Sequence, residues 1–271
     1  MRLPVAMTVA GSDSGGGAGI EADLKTFAAL GCHGTCAITA ITAQNTLGVD
    51  AIEELSPAIV TAQIDSVFAD LPPRAVKTGM LASPEIIFAV TGALRAHHME
   101  ELVVDPVMVA KGGAKLLRDD AMDALKSELL PLARLITPNL PEAELLLGRG
   151  ISSRPERQQA AIDLVRSLGC RAALVKGGHA QDGADDVLFD GRSVTWFTAR
   201  RIDTPNTHGS GCTYSSAISA GLARGLELEP AIRAGKRFIT QAIRWSLEMG
   251  GGHGPVNPLF RLRAPLARKL R

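Results

Sequence analysis

Apolar stretches with two different periods alternate along almost the whole chain. Residues 5–11 (VAMTVAG) form a mostly apolar run that ends in glycine, which is typical of a buried β-strand. Residues 19–31 have apolar side chains three and four apart, among them Ile20, Leu24 and Phe27, and end at a glycine, which predicts an amphipathic helix. The chain is therefore expected to begin with a strand followed by a helix.

The same alternation continues along the rest of the chain. Short β-branched or apolar runs that end in turn residues predict strands at 35–43, 75–80, 101–107, 134–139 and 172–179. Apolar residues spaced three and four apart predict helices at 58–71, 84–97, 120–132, 141–148 and 158–168. Two last strands, 186–191 and 193–199, flank the hairpin signal Asp190-Gly191, and two helices follow them.

This order of elements predicts one class of fold. Strands that alternate with helices form a mainly parallel sheet with helices on both faces, because each crossover packs its helix against the sheet. The predicted fold is therefore α/β with three layers, α/β/α, and the final hairpin adds an antiparallel edge. No shift of composition and no long Pro- or Ser-rich linker divides the chain, so we expect a single domain over residues 1–271.

Composition and charge argue against several kinds of partner. The net charge is +1, so no overall field attracts nucleic acid or an anionic membrane surface. No apolar run reaches the roughly 20 residues that cross a bilayer, and the N-terminal segment is too short for a signal peptide. We predict a cytoplasmic enzyme that acts on small molecules, with no nucleic acid and no membrane as partner.

Polar residues follow the predicted strands at regular places. They occupy positions 11–13, 44–45, 77–80, 105–107, 137–139 and 176–179. In an open α/β sheet, ligands bind beyond the carboxyl ends of the strands, so these residues mark the expected site. The first of them opens a glycine-rich loop that matches the dinucleotide fingerprint only loosely and has no Walker A lysine. We interpret this loop as backbone that a small substrate approaches closely.

Two polar side chains near this loop suit a nitrogen heterocycle. Gln44 ends a predicted strand and offers a donor and an acceptor on one planar amide. Asp23 lies within the first helix, where a buried carboxylate would accept hydrogen bonds from an amino group or a ring nitrogen. The alternatives are that Gln44 satisfies local backbone groups and that Asp23 is a solvated charge on the helix.

Oxygen ligands for a cation stand near the ends of two further strands. Asp105 follows an apolar run, Asn139 ends the next strand, and Glu142 lies in the first turn of the following helix. Carboxylate and amide oxygens are hard ligands that suit Mg²⁺ and its waters. Asn139 and Glu142 also have the spacing of a helix capping box, and the two roles are compatible.

Two stretches indicate phosphate chemistry. Lys176 ends the run AALV and precedes two glycines, so it places a cation beside flexible backbone. The segment GSGC runs into a helix predicted to begin near Thr213. Free N–H groups and the dipole at a helix start bind anions and stabilise a phosphoryl group in transfer. We therefore predict an anion hole formed by Gly209, Ser210, Gly211 and Cys212.

Cys212 differs from the other cysteines. Cys32, Cys36 and Cys170 are interpreted as small hydrophobic core residues, because the chain has no C-x-x-C pair and disulfides are rare in a reducing compartment. Cys212 instead stands where glycines meet a helix, and a helix start lowers the pKa of a thiol from its usual value of about 8.5. We predict that Cys212 is partly thiolate near neutral pH and accepts the proton of a substrate hydroxyl.

Together these stretches resemble the ribokinase-like superfamily, and within it the hydroxymethylpyrimidine/phosphomethylpyrimidine kinases of thiamin biosynthesis. The resemblance is carried, in order between residues 4 and 257, by AGSDSGGGAGIEADLKTF, AQNTLGV, KTGML, VVDPVM, ITPNLPEAE, VKGGH and NTHGSGCTYSSAI. The superfamily usually places an aspartate base after its anion-hole glycines, as G-A-G-D. Cys212 replaces that aspartate here, as in the pyrimidine kinase branch.

The resemblance implies an activity and a set of roles. The activity would be the phosphorylation of 4-amino-5-hydroxymethyl-2-methylpyrimidine (HMP) to its monophosphate and then its diphosphate, with ATP and Mg²⁺. The pyrimidine would be held by Gly11, Asp23, Gln44, Met80 and Val107. The nucleotide and Mg²⁺ would be held by Asp105, Asn139, Glu142, Lys176 and Gly209. Cys212 would be the base within the anion hole, and the family also implies a homodimer.

A cysteine base suits two successive reactions in one site. The first nucleophile would be an alcohol, which benefits from a base, and the second a phosphate oxygen, which needs none. A base that can be neutral would repel the incoming phosphate less than a fixed carboxylate.

Other functions compete with this one. A pyridoxal or pyridoxine kinase of the same superfamily would also phosphorylate a hydroxymethyl group on a planar nitrogen heterocycle, although Gln44 favours the aminopyrimidine. A nucleotide-binding regulator without catalysis would have lost part of the site, whereas the predicted site residues are complete.

Overall fold

The apolar runs of the sequence form one large sheet and a separate pair of strands. The computed structural model describes residues 3–109, 113, 116–118, 120–178, 180 and 183–262, so the predicted domain ends 1–2 and 263–271 lie outside the described residues. The strands are β1 (Val5–Ala10), β2 (His33–Ile38), β3 (Ala40–Gln44), β4 (Val49–Glu54), β5 (Ala75–Thr78), β6 (Leu102–Val104), β7 (Leu135–Ile136), β8 (Ala173–Val175), β9 (Asp186–Phe189) and β10 (Val194–Phe197).

The large sheet has the predicted mixture of parallel and antiparallel pairs. Its eight strands follow the order β10-β9-β8-β7-β6-β5-β1-β2. Every neighbouring pair from β2 to β8 is parallel, whereas β9 pairs antiparallel with β8 and β10. The hairpin predicted at Asp190-Gly191 joins β9 to β10, and Gly191 adopts a φ of 88° there. The predicted fold class is therefore confirmed.

The predicted helices are present, and their ends carry the expected signals. They are α1 (Gly19–Ala29), α2 (Pro57–Asp70), α3 (Pro84–Ala96), α4 (Ala121–Ala124), α5 (Leu140–Leu147), α6 (Arg154–Leu168), α7 (Ser210–Ala223) and α8 (Leu228–Arg244). The α4 helix continues as a π-helical turn, Leu125–Leu129, and a 3₁₀ turn, Leu130–Leu132. Both α5 and α6 begin with a capping box and end at a left-handed glycine, which is why they start and stop where they do.

Aliphatic side chains fill the space between the sheet and both layers of helices. One face of the sheet packs against Ile64 of α2, Val90 of α3 and Leu164 of α6, and the other against Phe27 of α1 and Ile218 of α7. The three predicted layers follow from this arrangement. None of the helices in the described ranges is long and apolar enough to cross a membrane.

Residues 35–43, predicted as one strand, form parts of two strands in different sheets. The chain leaves the large sheet at Thr39, whose N–H donates to Ala10 O at 3.0 Å and whose hydroxyl donates to Met80 O at 2.8 Å. Strand β3 then pairs antiparallel with β4. The single-strand prediction was wrong because β-branched residues occur on both sides of Thr39. Strand β4 is mostly exposed, so no apolar run in the sequence indicated a partner strand for β3. We call β3 and β4 the flap.

Candidate active site

The predicted phosphate-binding residues meet at the carboxyl edge of the sheet. Lys176 follows β8, and its Nζ lies 2.7 Å from Oδ1 of Asp105, which follows β6. A Cβ atom placed on Gly211 at the start of α7 would lie 3.4 Å from Lys176 Nζ and 3.5 Å from Asp105 Oδ2. A cation, a carboxylate and a helix start therefore converge on one spot, as the strand-end pattern predicted.

The anion hole is built by the first turn of α7. This helix begins at Ser210, earlier than predicted, so Cys212 lies inside its first turn and Gly209 is its N-cap. Gly209 has a φ of 74°, and a Cβ atom there would lie 1.8 Å from Gly17 O, so only glycine fits. Among the described residues, no side chain caps this helix start. Its N–H groups and dipole are thus suited to an anion.

Lys176 and Asp105 form a charged pair beside the anion hole. Asp105 is buried, and its carboxylate also accepts hydrogen bonds from Thr137 at 3.1 Å and Ser215 at 3.3 Å. Burial alone would raise the pKa of Asp105, but Lys176 and Lys77 hold it below its usual value. Burial likewise opposes the charge of Lys176, but Asp105 and Glu142 keep the pKa of its ammonium above the usual value. Both groups are therefore ionised.

Asn139 and Glu142 make the capping box that their spacing predicted. Asn139 Oδ1 accepts from the N–H of Glu142 at 2.9 Å, and Glu142 Oε2 accepts from the N–H of Asn139 at 2.8 Å. Burial raises the pKa of Glu142 to about 7, against the attraction of Lys176. Asn139 also forms a parallel bridge with Lys176, so the box is fixed beside the anion hole.

The carboxylates at this edge fit a Mg²⁺ ion that is shared with a nucleotide. Within the described ranges, no three His, Cys, Asp or Glu side chains are grouped so that they could hold a metal. Mg²⁺ in nucleotide enzymes takes one or two carboxylates and completes its shell with phosphate oxygens and water. Asp105 and Glu142 supply that number of carboxylates beside the predicted phosphate site. Lys176, Thr137 and Ser215 already donate to the two oxygens of Asp105, so this carboxylate would contact the ion through its waters.

Asp23 lies behind the site and is fully buried. Its Oδ2 accepts from Thr8 Oγ1 at 2.7 Å and Lys77 Nζ at 2.8 Å, and its Oδ1 accepts from Ser216 Oγ at 2.6 Å. It is neither a solvated helix charge nor, with both oxygens bound to protein, an acceptor open to a substrate. The geometry does not favour the expected contact with a pyrimidine, and we assign Asp23 no contact with substrate.

Lys77 belongs to the strand-end positions 77–80 that marked the expected site, but the sequence motifs assigned it no role. It lies in the central strand β5 and is fully buried together with its partner Asp23. Burial opposes its charge, but attraction to Asp23, Cys212 and Asp105 raises its pKa above the usual value. Lysine is almost never fully buried without a partner. The available signal was therefore a lysine inside the apolar run AVKTGM.

The predicted lowering of the pKa of Cys212 is wrong. Burial raises the pKa of this thiol to about 11, and the attraction of Lys77 only partly opposes that effect. The carboxylates of Asp23 and Asp105 raise it further. A helix start alone would lower the pKa of the thiol. The fold also buries the thiol and brings the carboxylates of Asp23 and Asp105 close enough to raise its pKa. Cys212 is therefore a neutral thiol at pH 7.

Two of the residues predicted to hold the heterocycle are in contact. A Cβ atom on Gly11 would lie 3.0 Å from Met80 Sδ, so these residues form one wall beside the carboxyl end of β1. Val107 is half-buried and follows Asp105. Gln44 ends β3 of the flap, where its Oε1 accepts from Thr42 Oγ1 at 3.3 Å and its Nε2 lies 3.5 Å from His208 Nε2.

A buried pair of Asp13 and His208 joins the glycine-rich loop to the anion hole. Asp13 Oδ2 lies 2.8 Å from His208 Nε2, and the Asp13 carboxylate also accepts from three backbone N–H groups of its own loop, those of Gly15, Gly17 and Ala18. Burial opposes ionisation, but these hydrogen bonds lower the pKa of Asp13. His208 immediately precedes Gly209, so the pair holds the two loops together.

The fold and the site define a ribokinase-like kinase of small molecules, with three layers and an anion hole flanked by a lysine and carboxylates. The chain belongs to the phosphomethylpyrimidine kinase family, whose model matches residues 13–257.

Individual relatives cover most of the chain. A hydroxymethylpyrimidine/phosphomethylpyrimidine kinase of Rhizobium meliloti (strain 1021) is 51% identical over 260 residues, which cover 95% of this chain and 97% of that protein. The thiamine biosynthesis bifunctional protein ThiED of Geobacter sulfurreducens is 53% identical over 255 residues, 94% of this chain and 52% of that protein, so the chain spans about half its length. An ADP complex of Bacillus subtilis pyridoxal kinase superposes with a TM-score of 0.87 at 37% identity, covering 94% and 97% of the two chains.

The Asp13–His208 pair should matter for substrate binding. We expect His208→Asn to raise KM for the alcohol substrate about 10-fold or more, because a hydrogen bond to a charged group contributes roughly 1.5–3 kcal/mol. Steady-state kinetics at saturating ATP measures this. The matched control is His97→Asn, since His97 Nε2 lies 2.7 Å from Asp65 Oδ1 on the far surface. An unchanged KM in His208→Asn would refute the role.

Proposed function

We propose that the protein transfers a phosphoryl group from ATP to the hydroxymethyl group of HMP, and then a second to HMP phosphate. The product would be HMP diphosphate for thiamin diphosphate biosynthesis. The observation that carries the proposal is the convergence of Lys176 and Asp105 on the first turn of α7, at 3.4 and 3.5 Å from a Cβ atom on Gly211. The relatives that are 51% and 53% identical bear names from this pathway, which supports the choice of substrate.

The protein would act on the transferring group mainly by position and charge. Phosphoryl transfer needs little covalent chemistry from the protein, so catalysis depends on alignment and on stabilising charge. The N–H groups of Gly209, Gly211 and Cys212 and the Lys176 ammonium would stabilise the charge on the phosphoryl oxygens, whereas the N–H of Ser210 donates to Thr207 O at 3.2 Å. Asp105 holds Lys176 in place. Asp105 and Glu142 would hold Mg²⁺ beside ATP, Asp105 through the waters of the ion, and the bound ion would neutralise phosphate charge.

Cys212 would act differently in the two steps. With a pKa of about 11, it is a neutral thiol at pH 7, and only its small thiolate fraction accepts the proton of the HMP alcohol. The second nucleophile is a phosphate oxygen that is already ionised. A neutral thiol beside the anion hole does not repel that phosphate, whereas the negative charge of a carboxylate would.

Gly11, Met80, Gln44 and Val107 remain our proposal for the pyrimidine pocket. The wall formed by Gly11 and Met80 is apolar and suits the face of a planar ring. Gln44 Oε1 accepts a hydrogen bond from Thr42 Oγ1, so its amide is oriented before substrate binds. A fixed donor and acceptor select a heterocycle with matching groups.

Phosphorylation of vitamin B6 alcohols is the second candidate, and the similarity to a pyridoxal kinase favours it. Its 37% identity is lower than that of the pyrimidine kinase relatives. We therefore expect kcat/KM for HMP to exceed that for pyridoxine by about 10-fold or more, since matched polar groups discriminate strongly.

A product assay tests the proposed function. Purified protein with ATP, Mg²⁺ and HMP should give the monophosphate first and then the diphosphate, resolved by ³¹P NMR or ion-exchange chromatography. Pyridoxine replaces HMP in a parallel reaction. ATP consumption that does not depend on either alcohol would refute a small-molecule kinase, and a higher kcat/KM for pyridoxine would select the second candidate.

Two expectations that the family implies concern the protein in the cell. We propose that it is a homodimer, on the basis of the resemblance alone. Its cytoplasmic location likewise stays a prediction.

A further inference from the structure

A further buried carboxylate, Asp186, joins three elements on the Lys176 side of the site. It stands at the start of β9 and is 1% exposed. Its Oδ1 accepts from the N–H of Gly177 at 2.9 Å, and its Oδ2 accepts from Tyr214 Oη at 3.0 Å and Lys236 Nζ at 2.6 Å. These donors belong to the turn after β8, to α7 and to α8 respectively.

The bond to Gly177 fixes the turn that carries Lys176. Gly177 follows Lys176 directly, and a Cβ atom on it would lie 1.9 Å from Asp185 O, so the turn is packed tightly against the start of β9. On the other side, the N–H of Lys176 donates to Pro138 O at 2.9 Å. The backbone around Lys176 is therefore held on one side by β7 and on the other by Asp186.

The bond to Tyr214 fixes the helix that carries the anion hole. Tyr214 lies in α7 two residues after Cys212 and is 4% exposed. Burial, together with the charge of Asp186, raises the pKa of Tyr214, so its hydroxyl stays protonated and continues to donate. Lys236 of α8 supplies the opposite charge, so the buried carboxylate of Asp186 is paired. The Lys236 ammonium also donates to Ala184 O.

We propose that Asp186 is a positioning residue that sets the distance between Lys176 and the anion hole, and thereby the affinity for the phosphates of ATP. Its carboxylate would contact neither the phosphates of the nucleotide nor the alcohol that accepts the phosphoryl group. It acts by holding the turn at Gly177 and the helix at Tyr214 with the two oxygens of one rigid carboxylate. This inference rests on the proposed function, because it takes Lys176 and residues 209–212 as the contacts of the nucleotide phosphates.

The test compares nucleotide affinity with alcohol affinity. We expect Asp186→Ala to raise the Kd for ADP, measured by calorimetry without any alcohol, about 10-fold to 100-fold, as the loss of hydrogen bonds to a charged group predicts. KM for ATP should rise in parallel, and KM for HMP should stay unchanged. Asp186→Asn keeps an acceptor for Gly177 and should restore most of the affinity. If Asp186→Ala does not fold, Tyr214→Phe, which removes only the bond from α7 to Asp186, should still raise the Kd for ADP, by a smaller factor.

A purely stabilising role predicts a different result. In that case Asp186→Ala would lower the midpoint of thermal unfolding, while the folded fraction would keep the wild-type Kd for ADP and KM for ATP, which would overturn the proposal. The matched control is Asp185→Asn, whose carboxylate pairs with exposed Arg154 at 2.7 Å and should change the Kd for ADP less than about 2-fold. If wild-type protein bound ADP but phosphorylated no pyrimidine, the proposed substrate would fail and this inference would stand.

Discussion

Cys212→Ala should slow the first phosphorylation about 100-fold, the low end of what a general base contributes because only a small fraction of the thiol is ionised, and leave the second nearly unchanged. The alcohol of HMP must lose a proton, whereas the phosphate of HMP phosphate is already ionised. Steady-state rates with each compound as sole acceptor separate the two steps. Cys36→Ala, a half-buried cysteine on β2, is the control and should change neither rate.

Cys212→Asp should show the opposite preference. Aspartate is the usual base of the superfamily, so the first step should retain substantial activity. A fixed carboxylate beside the anion hole should repel the incoming phosphate and slow the second step. If Cys212→Ala slowed both steps equally, the second step would need the base after all. If Cys212→Asp kept the wild-type rate of the second step, the proposed repulsion between the carboxylate and the incoming phosphate would be refuted.

The pH dependence follows from the raised pKa of Cys212. The thiolate is the basic form, and its fraction grows as pH approaches a pKa of about 11. kcat/KM for HMP should therefore rise about 10-fold per pH unit above pH 7, as for a base that is largely protonated, with no plateau near the ordinary thiol value. The wild-type second step and Cys212→Asp should lack this rise.

Lys77→Met should lower the free energy of unfolding by about 3–5 kcal/mol, because it leaves the carboxylate of Asp23 buried without its counter-charge. The double variant Lys77→Met/Asp23→Asn removes both charges and should recover most of this loss. Urea denaturation at pH 7 measures both variants. The control is Arg233→Met, which breaks an exposed pair with Glu229 and should cost roughly 0.3–0.5 kcal/mol.

The double variant decides whether the buried charge is the cause. If the single and double variants were equally destabilised, lost packing of the lysine stem would explain the effect. Stability close to wild type in Lys77→Met would contradict the role of Lys77 as the buried partner that stabilises Asp23.

Most of the fold could be predicted because local patterns decide it. The alternation of short apolar runs with helical spacing is a property of each segment, and the carboxyl-edge rule then places Lys176, Asp105 and the anion hole together. The capping box at Asn139 and Glu142 is similarly local. The flap was missed because β-branched residues continue through Thr39, and only contacts with β1 and Met80 show where the chain leaves the sheet.

The errors at the site come from partners far apart in the chain. Asp23 meets Lys77 across 54 residues, and Asp13 meets His208 across 195. These pairings decide whether a carboxylate faces a substrate or lies behind the site. The pKa of Cys212 was mispredicted for a related reason. A helix start is visible in the sequence, whereas the burial of the thiol, which raises its pKa most, and the effect of the Asp23 and Asp105 carboxylates are not.

One site is proposed to phosphorylate both an alcohol and a phosphate because Cys212 is neutral at pH 7 and acts as a base only through its small thiolate fraction. The most direct measurement supplies purified HMP phosphate as sole acceptor, with ATP and Mg²⁺, to wild-type protein and to Cys212→Ala. We expect both proteins to form HMP diphosphate at similar rates, although only wild type should phosphorylate HMP efficiently. Failure of the wild type to form diphosphate, or equal losses in both reactions for Cys212→Ala, would contradict it.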